Sequence, residues 1–197
     1  MDRRTLLRRG STLGALLAGG AYARYRWFPP RASAELLPVD ELARRFVGSL
    51  DDATRAEVCV PYDHPLRQYH NRGVGGGGAA IDAGRFSWAQ RGLLNDLFHA
   101  GLSAEGRERV PNEYYTRFGG VQTMQVLVCG EPASRPYQMI LSGPHLNLRL
   151  GGASREGVAF GGPQVYGDQR GDGEVGLPGN LYRFQLELGR RLFAGLD

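Results

Sequence analysis

Lysine is missing from this chain of 197 residues, and all 24 basic side chains are arginine. No physical need excludes lysine from every surface position, so the bias reads as one of codon usage. Cysteine is scarce. Two residues, Cys59 and Cys129, exclude a disulfide-dense scaffold, and they either pair outside the cytoplasm or stay as buried thiols. Several motifs are also missing. There is no G-x-S-x-G elbow for a serine nucleophile, and neither cysteine has a histidine near it in sequence. Gly75 to Gly78 lack the Lys-Ser/Thr that a phosphate cradle needs and read as a linker.

Charge excludes a further class. The formal net charge is +4, but residues 1–34 hold seven arginines and one aspartate, a balance of +6. The rest has 17 arginines against 19 acids, a balance of −2, so it has no bulk attraction for a phosphate backbone and no nucleic-acid partner is expected. What the chain has in excess is glycine, 30 residues, with 42% of the chain still apolar. That combination calls for many turns and short strands around a core, not for disorder.

The first 34 residues have the pattern of a signal peptide: a charged start, a short apolar run from Leu13 to Ala21, and small-x-small cleavage sites after Ala23 and after Ala34. The run is too short to span a bilayer. Arg3-Arg4-Thr5-Leu6-Leu7-Arg8 resembles the twin-arginine export motif, which makes that machinery an expected partner and the periplasm or exterior the expected destination. An uncleaved leader would instead act as a membrane anchor. Twin-arginine substrates cross the membrane folded, and many carry a cofactor.

Residues 35–197 read as a single α+β domain. Val39 to Leu50 form an amphipathic helix, and a second short helix runs to Val60, where Pro61 stops it. Residues 61–86 are loop. Ser87-Trp88-Ala89-Gln90 is a capping box, and the helix behind it buries Leu94, Leu97, Phe98, Gly101 and Leu102. Another helix starts at Ser103 and ends near Pro111. From Gly119 the period changes to two. Strands are expected from Val121 to Gly130, Tyr137 to Ser142, Leu146 to Leu150 (continuing or bending the second) and Val158 to Phe160. Gly161-Gly162-Pro163 reads as a turn, residues 167–180 as loop, and Leu181 to Leu196 as a closing helix. Helices followed by an antiparallel meander is an α+β order.

Leu42 to Asp51 match Leu188 to Asp197 at five of ten positions, offset by 146. One reading is coincidence between two Leu/Arg-rich helices. The other is that a second copy of the unit begins there, which would make the chain a truncated copy of a longer two-unit protein.

The candidate site lies between Met139 and Asp168. Strand alternation would set His145, Asn147 and Arg149 on one side and Leu146, Leu148 and Leu150 on the other. A functional reading makes His145 a metal ligand or general base, Arg149 an anion clamp and Asp168 a second ligand, with Tyr166 beside them and a transition metal as cofactor. The plain alternative is a solvated face. His64, His70 and His99 lack ligand spacing, and His99 is expected at the edge of a helix face.

Gly143-Pro144-His145-Leu146-Asn147-Leu148-Arg149, followed by Ala159-Phe160-Gly161-Gly162-Pro163-Gln164-Val165-Tyr166-Gly167, resembles the domain of unknown function 3500 family, a set of uncharacterised exported proteins. The likeness spans about residues 40–197 and would cover the N-terminal half of such a protein. Pro144, Asp168 and Gly151-Gly152 depart from that family's pattern, and the family has no settled activity to transfer. Three readings stay open: a metal-binding exported protein, a non-catalytic module for an anionic or sugar-like ligand, and a degenerate truncated paralogue. Whether the chain is an enzyme is left undecided.

Overall fold

The computed structural model describes residues 35–68, 78–82, 84–134, 136–151, 162–166 and 183–196. The leader, the expected strand at 158–160, the loop at 167–180, His70 and Asp168 lie outside the described residues.

The fold is α+β, with helices laid on one face of a mixed sheet. Helix α1 spans Val39–Gly48 and α2 spans Asp52–Val58. Strand β1 follows at Cys59–Val60, a 3-10 turn at Pro65–Gln68, and β2 at Ala79–Ala80. Helices α3 (Trp88–Ala100) and α4 (Ala104–Phe118) precede the meander β3 (Gln125–Gly130), β4 (Tyr137–Gly143), β5 (Leu146–Leu150) and β6 (Gly162–Tyr166). Helix α5 spans Arg183–Ala194. The strand order is β1-β3-β4-β5-β6, and β2 also pairs with β3. Strands β3 to β6 run antiparallel in sequence order, as expected of a meander. Among the described strands only β1 is parallel to its neighbour, which makes the sheet mixed.

Period-two alternation sorts the sheet into two faces. Val126, Val128, Tyr137, Met139, Leu141, Leu146, Leu148 and Leu150 belong to one core with Leu42, Phe46 and Val47 of α1, Leu94, Leu97 and Phe98 of α3, and Val110 and Tyr114 of α4. Leu127, Cys129 and Ile140 form a second, small cluster on the opposite face, under Val60 and Leu66. Burial of this kind stabilises by roughly 1.5–3 kcal/mol per large aliphatic side chain, so the helix-covered face dominates the fold's stability.

Local signals set several element ends. Asp51 caps α2 by accepting from the Thr54 N–H at 2.7 Å. Both bonds of the capping box at α3 are present: the Gln90 N–H to Ser87 Oγ at 3.3 Å and the Ser87 N–H to Gln90 Oε1 at 2.8 Å. Gln90 Nε2 also donates to the Ser49 carbonyl, joining the start of α3 to the end of α1.

Three expectations are corrected. Helix α2 stops at Val58, because Cys59 and Val60 pair with Val128 and Cys129 as a strand. Helix α4 runs through Pro111 to Phe118. A proline there removes one backbone hydrogen bond, but Val110, Tyr114 and Phe118 recur at four-residue spacing and hold the same face to the core. Gly162-Pro163 is strand, not turn, and it sits on the last strand of the order, where a missing N–H is tolerated. Of the two readings of the cysteines, the free thiols hold: Cys59 and Cys129 face opposite sides of the sheet, Cys59 with the helix core and Cys129 with the small cluster. Among the described residues no helix is long and apolar enough to cross a membrane.

Removing the cap at α3 tests the local reading. Ser87→Ala should cost about 1 kcal/mol in chemical denaturation, with the slope of the transition unchanged.

Candidate functional site

The Gly143–Leu150 segment does hold the polar residues the sequence singled out, but the fold divides them. Gly143 and Leu146 pair across β4 and β5, so Pro144 and His145 are the two residues of the turn. His145 has φ +59° and is not in a strand. Proline at the first turn position and a positive φ at the second are the requirements of a type II turn. Its imidazole stacks on Phe118 at 5.3 Å and 26°, and Phe118 in turn lies 5.1 Å from Tyr114. The ring thus belongs to the helix layer. A Cβ at Gly143 would come within 2.3 Å of Tyr114 Oη and 2.6 Å of Met124 Cγ, so only glycine lets the turn approach α4 this closely.

Asn147 and Arg149 take the opposite face. The expectation of a common side for His145, Asn147 and Arg149 is therefore corrected: alternation starts at Leu146, one residue after the turn reverses the chain. Nor is their face solvated. Asn147 is 2% exposed and Arg149 4%.

Register places their neighbours. Gln125, Ser142 and Asn147 form one row across β3, β4 and β5, and Leu127, Ile140 and Arg149 form the next. Asn147 Nδ2 donates to Ser142 Oγ at 2.8 Å. Arg149 donates to Gln138 Oε1 at 3.0 Å and to the Arg67 carbonyl, which brings the 3-10 turn over this face. Arg67 itself lies over the Tyr62 ring at 4.3 Å. Burial pushes the Arg149 guanidinium below its ordinary range, and Arg67 pushes the same way. Burial also pushes the Cys129 thiol up to about 11, against the pull of Arg67 and Arg149.

Gln138, Ser142 and Arg67 were not singled out from the sequence, and Cys129 was noted only as either a disulfide partner or a buried thiol. Gln138 and Ser142 had a signal, since they alternate with Tyr137, Met139 and Leu141 along β4. Arg67 had none, because it reaches Arg149 from 82 residues away.

The remaining expectations fall as follows. Tyr166 pairs through its main chain with Leu146, at the turn end of β5. Asp168 lies outside the described residues, so its place beside His145 is not seen. Among the described residues no three His, Cys, Asp or Glu side chains come together as a metal group would require. His99 is fully buried, not at an edge: its Nδ1–H donates to the Asn95 carbonyl at 2.8 Å and its ring meets Phe98 edge-on.

No family model, curated protein or solved structure matches the chain.

Two measurements check this geometry. A double-mutant cycle of His145→Asn with Phe118→Leu should give a coupling of about 0.5–1.5 kcal/mol, because asparagine tolerates the left-handed backbone while losing the ring contact. The raised Cys129 pKa favours the folded state below the ordinary thiol range. Stability should therefore fall as pH rises from near 9 to about 11, by up to about 1.4 kcal/mol per pH unit. Cys129→Ala should flatten that slope in urea titrations.

Proposed function

We propose that the second face of the sheet is a binding site for a small, hydroxyl-bearing organic anion, and that the chain is an exported binding module built around it. The observation that carries this reading is Asn147. It is 2% exposed, and its Oδ1, like Gln125 Oε1 in the same row, is buried with no hydrogen-bond partner among the described residues. A buried amide oxygen left in that state costs about 1–3 kcal/mol, which a purely structural site would have little reason to keep. A hydroxyl donor on a ligand removes that cost.

The neighbours set the rest of the ligand's chemistry. Arg149 stands two residues along the strand, about 7 Å away on the same face, and its planar fork, which donates to Gln138 Oε1 and the Arg67 carbonyl, can exchange the Gln138 bond for a carboxylate. Ser142 Oγ holds the Asn147 amide in place at 2.8 Å. A hydroxyl and a carboxylate separated by a few bonds, as in a sugar acid, meet both groups at once. Cys129, with its thiol kept neutral by burial, contributes packing and not a nucleophile. Export rests on the Arg3-Arg4 leader and on nothing in the fold. The metal expectation gains no support from His145, whose ring is engaged with Phe118.

Galacturonate is a suitable probe, read by thermal unfolding and calorimetry. It should raise the melting temperature of the wild type by several degrees at a hundredfold excess over its dissociation constant. Asn147→Leu and Arg149→Lys should each weaken it by tenfold or more, because one loses the acceptor and the other the fork. If a series of sugar acids and hydroxy acids leaves wild-type melting unmoved, and the Asn147→Leu, Ser142→Ala pair unfolds no more easily than wild type, the face is structural and the reading fails.

A further inference from the structure

Helix α5 repeats helix α1. Leu42, Ala43, Phe46, Val47 and Leu50 stand opposite Leu188, Gly189, Leu192, Phe193 and Leu196 at the constant offset of 146. Glu41, Arg44 and Arg45 stand opposite Glu187, Arg190 and Arg191. In and just after α1 these positions have fixed roles. The five small and apolar residues are buried to 8% exposure or less, while Glu41 takes Arg44 at 3.0 Å and Arg45 at 2.7 Å on the outer side. The same pattern in and after α5 has the opposite exposure: Leu188 59%, Leu192 70%, Phe193 77% and Leu196 74%. Scattered exposed leucines are ordinary, but these form one stripe. At 100° per residue, Leu188, Leu192, Leu196, Gly189, Phe193 and Leu186 span less than half the circumference.

We infer that this face of α5 is an interaction surface, and that its occupant is α5 of a second copy of the chain. Three observations select a second copy. Five of the seven large apolar residues that are exposed among the described residues lie on α5 or just after it, so the complementary patch is this same patch. An isologous pair brings a patch onto itself. The area also suffices: with Leu186 40% exposed beside the four above, the five residues present on the order of 500–600 Å² per copy, so a pair that covers them fully buries about 1,100 Å², just above the roughly 1,000 Å² a specific interface needs. Lastly, a Cβ added at Gly189, inside the stripe, meets nothing within 4 Å, so two backbones can approach there, while at 100° per residue Glu187, Arg190 and Arg191 fall outside the stripe and leave the contact apolar. In α1 the matching position is the fully buried Ala43.

Sedimentation velocity on the full chain between 1 and 200 μM tests this. The wild type should pass from monomer to dimer across that range. Leu192→Asp and Phe193→Ser should each weaken the dimer at least tenfold. Both side chains are exposed, so each variant should melt with the wild type at low concentration, which separates lost pairing from lost folding. A Gly189→Leu variant, which adds bulk at the crossing and no charge, should weaken the dimer as well. A wild type that stays monomeric to 200 μM overturns the inference. So does a dimer that both Leu192→Asp and Phe193→Ser leave intact, which would place the interface elsewhere.

Discussion

The structure depends on the two-sidedness of β4 and β5. Their side chains alternate without a break from Tyr137 to Gly143 and from Leu146 to Leu150, and the pairing of Leu141 with Leu148 and Met139 with Leu150 keeps the apolar members in one sheet face. Once that face is sealed by α1, α3 and α4, slipping the register by one residue would bury Ser142, Asn147 and Arg149 against the helices and expose the leucines. The helix core therefore commits the polar residues to the far side. The position of the candidate site follows from where the hydrophobic core had to be.

The far side carries the less usual chemistry. It is small in apolar content, with Leu127, Cys129 and Ile140 under Val60 and Leu66, and its other buried positions are an arginine, an asparagine and a serine. Buried polar groups are stable where their bonds are complete and costly where they are not. Arg149 has neutral oxygens from Gln138 and Arg67, and Ser142 engages one end of Asn147. The Oδ1 end of that amide, and Gln125 Oε1 in the same row, are where the face is incomplete.

The helix layer uses its aromatics differently. His99, Phe98, Tyr114, Phe118 and His145 follow one another at centroid separations of 5.1 to 5.8 Å. That series links the end of α3 through α4 to the β4–β5 turn. It explains why a histidine at positive φ is held in the turn: the backbone strain of an L-residue there is offset by ring contact with Phe118.

Much of the fold was legible in the chain itself. The α+β order, the capping box at Ser87 and Gln90, the faces of α1 and α3, and the three leucines of β5 all follow from spacing, because local hydrogen bonds and hydrophobic period act over a few residues. The extent of α4 did not follow, since packing of Tyr114 and Phe118 outweighed the local signal of Pro111. The short strand at Cys59 was hidden for a similar reason: two residues become strand only when β3 lies beside them. The candidate site was half legible. Asn147 and Arg149 were correctly paired on one face by period two, but His145 was assigned with them because alternation does not reveal where a turn reverses the chain. Arg67 joins that face from a distant turn, and Asn147 becomes buried only in the assembled sheet. Sequence alone determined which residues could share a face, as that depends on backbone geometry between neighbours. Tertiary structure decided which face was closed, which polar atoms lost water and which kept a partner, because those depend on segments far apart in the chain.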